Sequence, residues 1–404
     1  MKNWKRLLAL LLCGVMALSL FACNTGDSDA SPSVYLDATA GDPSDGADPS
    51  IDPDPDASAI PGITADLSQD ALTFAAGLSA GDILLTINGE DVPADLFLYM
   101  LDMSCAQVQP YLPLLGTSLE ALAPDLLEDA VTLMISHVLL RQKAAQLGCP
   151  PTDAQNEEID ANMAETDLET IAAYYGLTTE SVRFIYGTNS YYDNVLAAAT
   201  HEPSEQDLVD YAIEQGDYRV KHILLKTVDD NRQPLPEEEV AQKKAQAEDL
   251  LAQLQAASDL PALFDQLMNE LSEDGRDENG DLYAPNGYLA TPGQMVSEFE
   301  EASQALKDGE LSGIVESSHG YHIILRLPLT PFTDEEKAVY EENYRPGVLN
   351  NLLAQWQEES EIIRSDALDS LDVAGFYNRL TAYQQARAEQ EQAEAGDSGD
   401  GGAN

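Results

Sequence analysis

Two short stretches, YRVKHILLK at 218–226 and GYHIILRL at 320–327, each set one histidine among apolar and basic residues in a strand-like run, in a chain of 404 residues with only 5 histidines. Histidine changes charge near neutral pH, and its neutral ring carries one donor and one acceptor. On neighbouring strands, His222 and His322 can bond ring to ring, fix each other's tautomers and hold a third polar group in place. A pair that only braces the sheet through the same bond is the alternative reading. Zinc ligation fits poorly even with His319 nearby, because no His-x-x-x-His spacing and no neighbouring Cys are present. Counted as a calcium loop from Asp277, DGRDENGDLYAP has neither Gly at the sixth position nor Glu at the twelfth. Neither metal nor cofactor is expected.

The elements that must carry these histidines are legible around them. Strands are predicted at 218–225, 287–290, 314–316 and 321–327, and helices at 236–257, 261–271 and 297–307, the last with Ser297 and Glu300 at capping-box spacing. The order β-α-α-β-α-β-β describes an α+β domain with a small antiparallel sheet. Before it, GDILLTINGEDVPADLFLYML reads as a strand, an Asn88-Gly89 turn and a helix opening near Pro93. Apolar residues from Leu126 to Ala144 recur at helical spacing, predicting a helix over 124–147 with His137 in its buried stripe. Further helices are predicted from the Thr152/Gln155 capping box, over 179–199, at SEQDLVDYAIEQG, and again after Pro331.

Composition narrows the partners. With 20 Lys and Arg against 72 Asp and Glu, the formal net charge of −52 excludes nucleic acid, whose phosphates need a positive field. At the start, Lys2, Lys5 and Arg6 precede an apolar run from Leu7 to Phe21, which is an export signal. The run falls short of the ~20 residues that span a bilayer. Because Cys23 follows Leu20-Phe21-Ala22, the segment resembles a bacterial lipobox, which implies cleavage before Cys23 and acylation of its thiol. From 24 to 68 the chain holds ten Asp and no Lys or Arg, a composition too polar to offset its ordering entropy, so a disordered tether is expected. Cys105 and Cys149 remain for the folded part, as one disulfide or two free thiols.

VKHILLK, LSEDGRDENGDL and PGQMVSEFEEASQALKDGELSGIVESSHGYHIILRL, in that order, resemble the parvulin (PpiC-type) class of peptidyl-prolyl cis/trans isomerases. The flanking helices and lipobox look like the PrsA and SurA type of extracytoplasmic foldase, in which the parvulin domain is inserted in a mostly helical chaperone domain. The resemblance implies a signal peptide at 1–22, a lipidated tether at 23–80, a helical domain at 81–215, the parvulin domain at 216–328, a helical segment at 329–388 and a disordered tail at 389–404. It assigns His222, Asp274 and His322 to catalysis, with Asp274 facing the prolyl amide. It gives Leu282, Met295, Phe299 and Ser317 to substrate binding, with His319 a departure from the small polar residue usual there. The run after GDL is interrupted by YAPN before Gly287-Tyr288, which makes a longer loop beside the pocket.

Isomerising an X-Pro bond breaks no covalent bond; it needs loss of amide resonance over a barrier of ~18–20 kcal/mol. Such a site must seize the proline ring in an apolar socket and leave the carbonyl side free to swing. The expected partners are unfolded or partly folded exported polypeptides with X-Pro bonds, met at the outer face of the membrane to which the lipid anchor holds the chain. A holdase with an inert parvulin domain is the alternative. Met295 and Phe299 sit four apart, so plain core packing also explains them, and Asp274 also reads as a solvated turn residue. The sequence leaves the oligomeric state open.

Overall fold

The computed structural model describes residues 62–229, 231–276 and 280–398, the last four by backbone alone. The export signal, Cys23 and most of the expected tether lie outside the described residues. The chain divides into two compact units, one made of the residues up to Thr200 and from Leu349 onward, the other of His201–Val348.

The chain opens with α1 (Ala71–Ala76), β1 (Ile83–Ile87), β2 (Glu90–Pro93), α2 (Ala94–Val108), the short α3 (Leu112–Leu115), α4 (Leu119–Leu147), α5 (Asp153–Glu165), α6 (Leu168–Tyr175) and α7 (Thr179–Ala199). The second unit adds α8 (Glu205–Glu214), β3 (Tyr218–Lys226), α9 (Glu237–Gln255), α10 (Leu260–Leu271), β4 (Tyr288–Ala290), α11 (Ser297–Ala305), β5 (Leu311–Ser317) and β6 (Gly320–Leu327). The division at Val348 falls within α12 (Asp334–Glu358), and β7 (Ile362–Arg364), α13 (Asp366–Asp369) and α14 (Val373–Ser398) return to the first unit.

In the first unit a three-stranded antiparallel sheet, ordered β2-β1-β7, lies among helices whose apolar stripes meet in one core built on Phe97, Leu101, Leu126, Met134, Phe376 and Tyr383. The expected tether ends earlier than residue 80. Asp70 caps α1, its carboxylate accepting from Thr73 N at 2.9 Å, and Ala71, Leu72 and Ala75 are buried. That burial offsets the entropy of ordering the helix. The helix expected from 124 starts at Leu119 instead, with Ser118 as N-cap and Pro124 inside it at the loss of one i to i−4 bond. The Thr152/Gln155 capping box is formed. The last helix continues past the expected boundary at 388 to Ser398. Cys105 and Cys149 are both free thiols. Among the described residues, no helix is long and apolar enough to cross a membrane.

The second unit has the predicted order of elements around a four-stranded antiparallel sheet, β4-β3-β6-β5. Alternation along β3 and β6 gives the sheet two faces. Ile223, Leu225, Tyr321, Ile323 and Leu325 meet α9 and α10 on one, while Tyr218, Val220 and Ile324 meet Phe299 of α11 on the other. The capping box expected at Ser297 and Glu300 is absent, because Ser297 is already the first helical residue and Val296 the cap. Glu300 reaches back to accept from Gly293 N at 2.6 Å instead.

Candidate active site

The edge of β3 decides where the site forms. Three residues of β4 pair with its first part, Tyr218↔Ala290, Arg219↔Leu289 and Val220↔Tyr288. Beyond Val220 the same edge is taken by the turn after α10. Ser272 Oγ accepts from Leu224 N at 3.1 Å, Glu273 N donates to Leu224 O at 2.8 Å, and Lys226 N donates to Glu273 Oε2 at 2.8 Å. Ser272 Oγ also accepts from Asp274 N at 3.4 Å, which brings the Asp274 carboxylate beside His222. Gly287, at φ +91°, lets β4 begin against β3, since a Cβ there would fall 2.6 Å from Val220 O. Tyr288 then follows on the strand.

On the face shared with α11, His222 is opposite Ile324 and His322 opposite Leu224, so the two histidines are diagonal neighbours. Their Nδ1 atoms lie 3.1 Å apart. His222 Nε2 is 3.1 Å from Asp274 Oδ2, which also accepts from Tyr288 OH at 2.5 Å. At the other end His322 Nε2 is 2.7 Å from Ser317 Oγ, and Ser317 Oγ accepts from His319 N at 3.1 Å. A hydrogen-bonded row therefore runs Tyr288, Asp274, His222, His322, Ser317.

Protonation follows from satisfying every member. Burial alone would raise the Asp274 carboxyl, but the bond and charge of His222, the Tyr288 hydroxyl and the Gly275 N–H together bring it down to about 2. The carboxylate only accepts, so His222 Nε2 donates to it. Burial, and then the imidazoles of His222 and His319, push His322 down to about 3 against the opposing pull of Asp274. In the arrangement that satisfies every member, the neutral His322 donates from Nδ1–H to His222 Nδ1 and accepts at Nε2 from the Ser317 hydroxyl. Every proton in the row then points toward Asp274. Burial and the bond to Asp274 raise the Tyr288 hydroxyl, which keeps it a donor.

Phe299 stands edge-on to both imidazoles, with ring centroids 5.0 Å from His222 and 5.2 Å from His322. At 3% exposure it is a floor beneath the histidines, while half-buried Met295 of the same cluster offers apolar surface. The structure thus brings together His222, Asp274, His322, Ser317, Met295 and Phe299. It separates Leu282, which is buried with Ile223 and Ile323 in the cluster on the opposite face of the sheet. The reading that made Leu282 a wall of the socket is corrected: its side chain anchors the loop after α10. Tyr288 and Ser272 were missed. The aromatic after Gly287 was visible as part of an interrupted run, but nothing in the sequence tied its hydroxyl to Asp274. Among the described residues, no group of three or more His, Cys, Asp or Glu is placed to hold a metal ion.

Residues 222–327 match the rotamase family model, described as a PPIC-type PPIase domain. The foldase protein PrsA of Staphylococcus aureus is 28% identical over 218 residues, covering 52% of this chain and 62% of the relative. The chain thus aligns with less than two thirds of the length of the curated relatives it matches. Among solved structures, the peptidylprolyl isomerase PrsA of Bacillus cereus is 18% identical with a TM-score of 0.26, covering 77% of this chain and 93% of that one. PrsA of Bacillus subtilis is 15% identical with a TM-score of 0.22, covering 76% of this chain and 93% of that one. The family match runs from His222 within β3 to the end of β6 and so takes in both histidines and Asp274, and on it this chain carries, at residues 222–327, a rotamase domain of the PPIC type.

Proposed function

We propose that this chain is a peptidyl-prolyl cis/trans isomerase that assists the folding of exported polypeptides, held at the outer face of the membrane by acylated Cys23. The observation that carries the reading is the row from Asp274 through His222 and His322 to Ser317, lying over Phe299 in a domain of the rotamase family.

Catalysis requires only that the twisted amide be favoured over the planar one, each ~1.4 kcal/mol giving a tenfold gain in rate. Met295 supplies apolar contact for the proline ring, and Phe299 beneath the histidines is the floor on which the site rests. Asp274 remains ionised and is held still by three donors. A fixed negative charge beside the bond disfavours the planar form in which the amide oxygen carries negative charge. The histidines act as positioning residues: their tautomers are set by the row, and they transmit the orientation of Ser317 to Asp274 without giving a proton to substrate. X-Pro isomerisation takes tens of seconds unassisted, so a chain emerging outside the membrane gains from such a site.

A second reading, polypeptide holding by the first unit, is supported by the exposed apolar turn between α2 and α4, where Leu114 is 85% exposed and Tyr111 is also exposed. The two roles are compatible.

The test is cis/trans exchange of X-Pro peptides measured by NMR with the full chain. Acceleration that is lost in Asp274→Ala supports the reading. If Asp274→Ala, His222→Ala and His322→Ala all keep the wild-type rate, the site is wrongly assigned. Loss of membrane association in Cys23→Ala tests the anchor.

A further inference from the structure

Asp274 lies between two fastened stretches of chain. Before it, Ser272 and Glu273 are bonded to the edge of β3 at Leu224 and Lys226. After it the chain doubles back: Arg276 and Leu282 form an isolated antiparallel bridge, Tyr283 N donates to Gly275 O at 3.1 Å, and Leu282 is buried against the sheet. The first fastening has a consequence at the end of α10. The last helical bond there runs from Ser272 N to Met268 O at 3.0 Å. Glu273 N, which would have continued the series to Asn269 O, is given to Leu224 O instead. Asn269 O therefore needs another donor.

Arg276 supplies it. Its Nη2 donates to Asn269 O at 2.7 Å and to Ser272 O at 3.3 Å, and its Nη1 donates to Gly280 O at 2.8 Å. A cation is well placed over the C-terminal carbonyls of a helix, which carry the negative end of its dipole. The planar fork of a guanidinium also fixes the directions of several bonds at once, which an ammonium does not. Arg276 thereby ties the end of α10 to the returning arm of the loop, with Asp274 and Gly275 in the span between. That span holds one of the three donors to the Asp274 carboxylate, the Gly275 N–H.

We infer that Arg276 is a positioning residue for isomerisation: by joining Asn269 O and Ser272 O to Gly280 O it holds the Asp274–Gly275 peptide so that the Gly275 N–H stays aimed at the Asp274 carboxylate. The inference rests on the isomerase reading. Arg276 acts through the backbone and is itself no member of the hydrogen-bonded row. A charge held still before the amide twists needs no reorganisation when it does, so the effect falls on turnover. Met295, which offers the apolar surface, belongs to the cluster around Phe299 of α11 and is held without this loop, so capture of the proline ring is left intact.

The test compares the full chain with Arg276→Met, which keeps the stem and removes charge and donors, and Arg276→Lys, which keeps a charged donor. Exchange of an X-Pro peptide by NMR gives kcat and KM, and carbon-13 NMR follows titration of the Asp274 carboxyl. Arg276→Met should lower kcat roughly tenfold, as the loss of a charge-assisted hydrogen bond does, and leave KM within about twofold. The Asp274 carboxyl should move up from about 2 toward 3.8, and Arg276→Lys should recover part of both changes. Should Arg276→Met fail to fold, an intermediate loss of kcat with the same upward shift in Arg276→Lys carries the test. An unchanged kcat in the folded variants, or a fall in kcat with the Asp274 titration unmoved, would overturn the assignment, the second marking a residue that only stabilises the loop. If the wild type accelerates no X-Pro peptide, the isomerase reading fails instead, and the Asp274 titrations from the same samples still decide whether Arg276 sets that carboxylate.

Discussion

His222 and His322 meet nitrogen to nitrogen, Nδ1 to Nδ1 at 3.1 Å, with ring planes 14° apart. One proton fits between those atoms, and Asp274 decides which ring owns it. Nitrogen-15 NMR at pH 7 should find His222 as the Nε2–H tautomer and His322 as the Nδ1–H tautomer, each in a single form. In Asp274→Asn, where the carboxamide can also donate, both rings should become tautomer mixtures.

The Tyr288 hydroxyl is one of three donors that hold the Asp274 carboxylate. Tyr288→Phe keeps the ring beside His222 and removes that bond alone. A net loss of about 1 kcal/mol corresponds to roughly a fivefold drop in kcat/KM. The acidic limb of the pH–rate profile should also move upward, because Asp274 loses a bond that favours its charged form. Asp274→Ala removes the fixed charge as well and should cost roughly 10- to 100-fold.

Acid should loosen the second unit in a defined window. The folded state holds His322 neutral down to about 3, against 6.5 in the open chain, so it binds fewer protons than the unfolded state between those values. Stability from this group is complete above about pH 6.5 and declines as pH falls toward 3. Asp274, lowered from 3.8 to about 2, adds a further loss below about pH 4. Unfolding free energies from urea titrations at pH 7.5 and 4.5 should differ by at most about 3 kcal/mol on account of His322, and His322→Gln should flatten that dependence.

Asp102 behaves oppositely. It lies buried on α2 near Cys105, Tyr99, Tyr175 and Tyr377, and burial raises its carboxyl to about 7. The folded first unit therefore binds a proton that the unfolded chain has released, and stability declines as pH rises from about 4 through 7. Asp102→Asn should stabilise the first unit by about 2–4 kcal/mol at pH 8 and leave it nearly unchanged at pH 4. The fluorescence of Trp356, which packs on that core, gives the readout.

The sequence disclosed what depends on local pattern. Strand alternation around His222 and His322 placed both on one face, and the capping box at Thr152 opened a helix where expected. What it concealed depends on pairings distant in the chain. Leu282 looked like a socket wall because its motif adjoins the site, yet the bridge to Arg276 turns it to the opposite face. Tyr288 became a partner of Asp274 only because β4 stops at Val220 and the turn at 272–274 takes over that edge. At Ser297 the cap spacing was right and the register wrong by one residue, a distinction that neighbouring packing decides.

The pairing of β7 with β1, Leu85↔Arg364, Thr86↔Ile363 and Ile87↔Ile362, sets an order of assembly. The rotamase unit is continuous in the chain and has all its strands when residue 327 has been made, whereas the first unit awaits β7 to close its sheet. A chain growing from its N-terminus thus completes the inner unit before the outer one. Until then β1 keeps a bare edge at Leu85–Ile87, the kind of edge that recruits other strands. A product cut short before residue 362 would carry all the strands of the rotamase domain beside a first unit whose sheet is left open at β1.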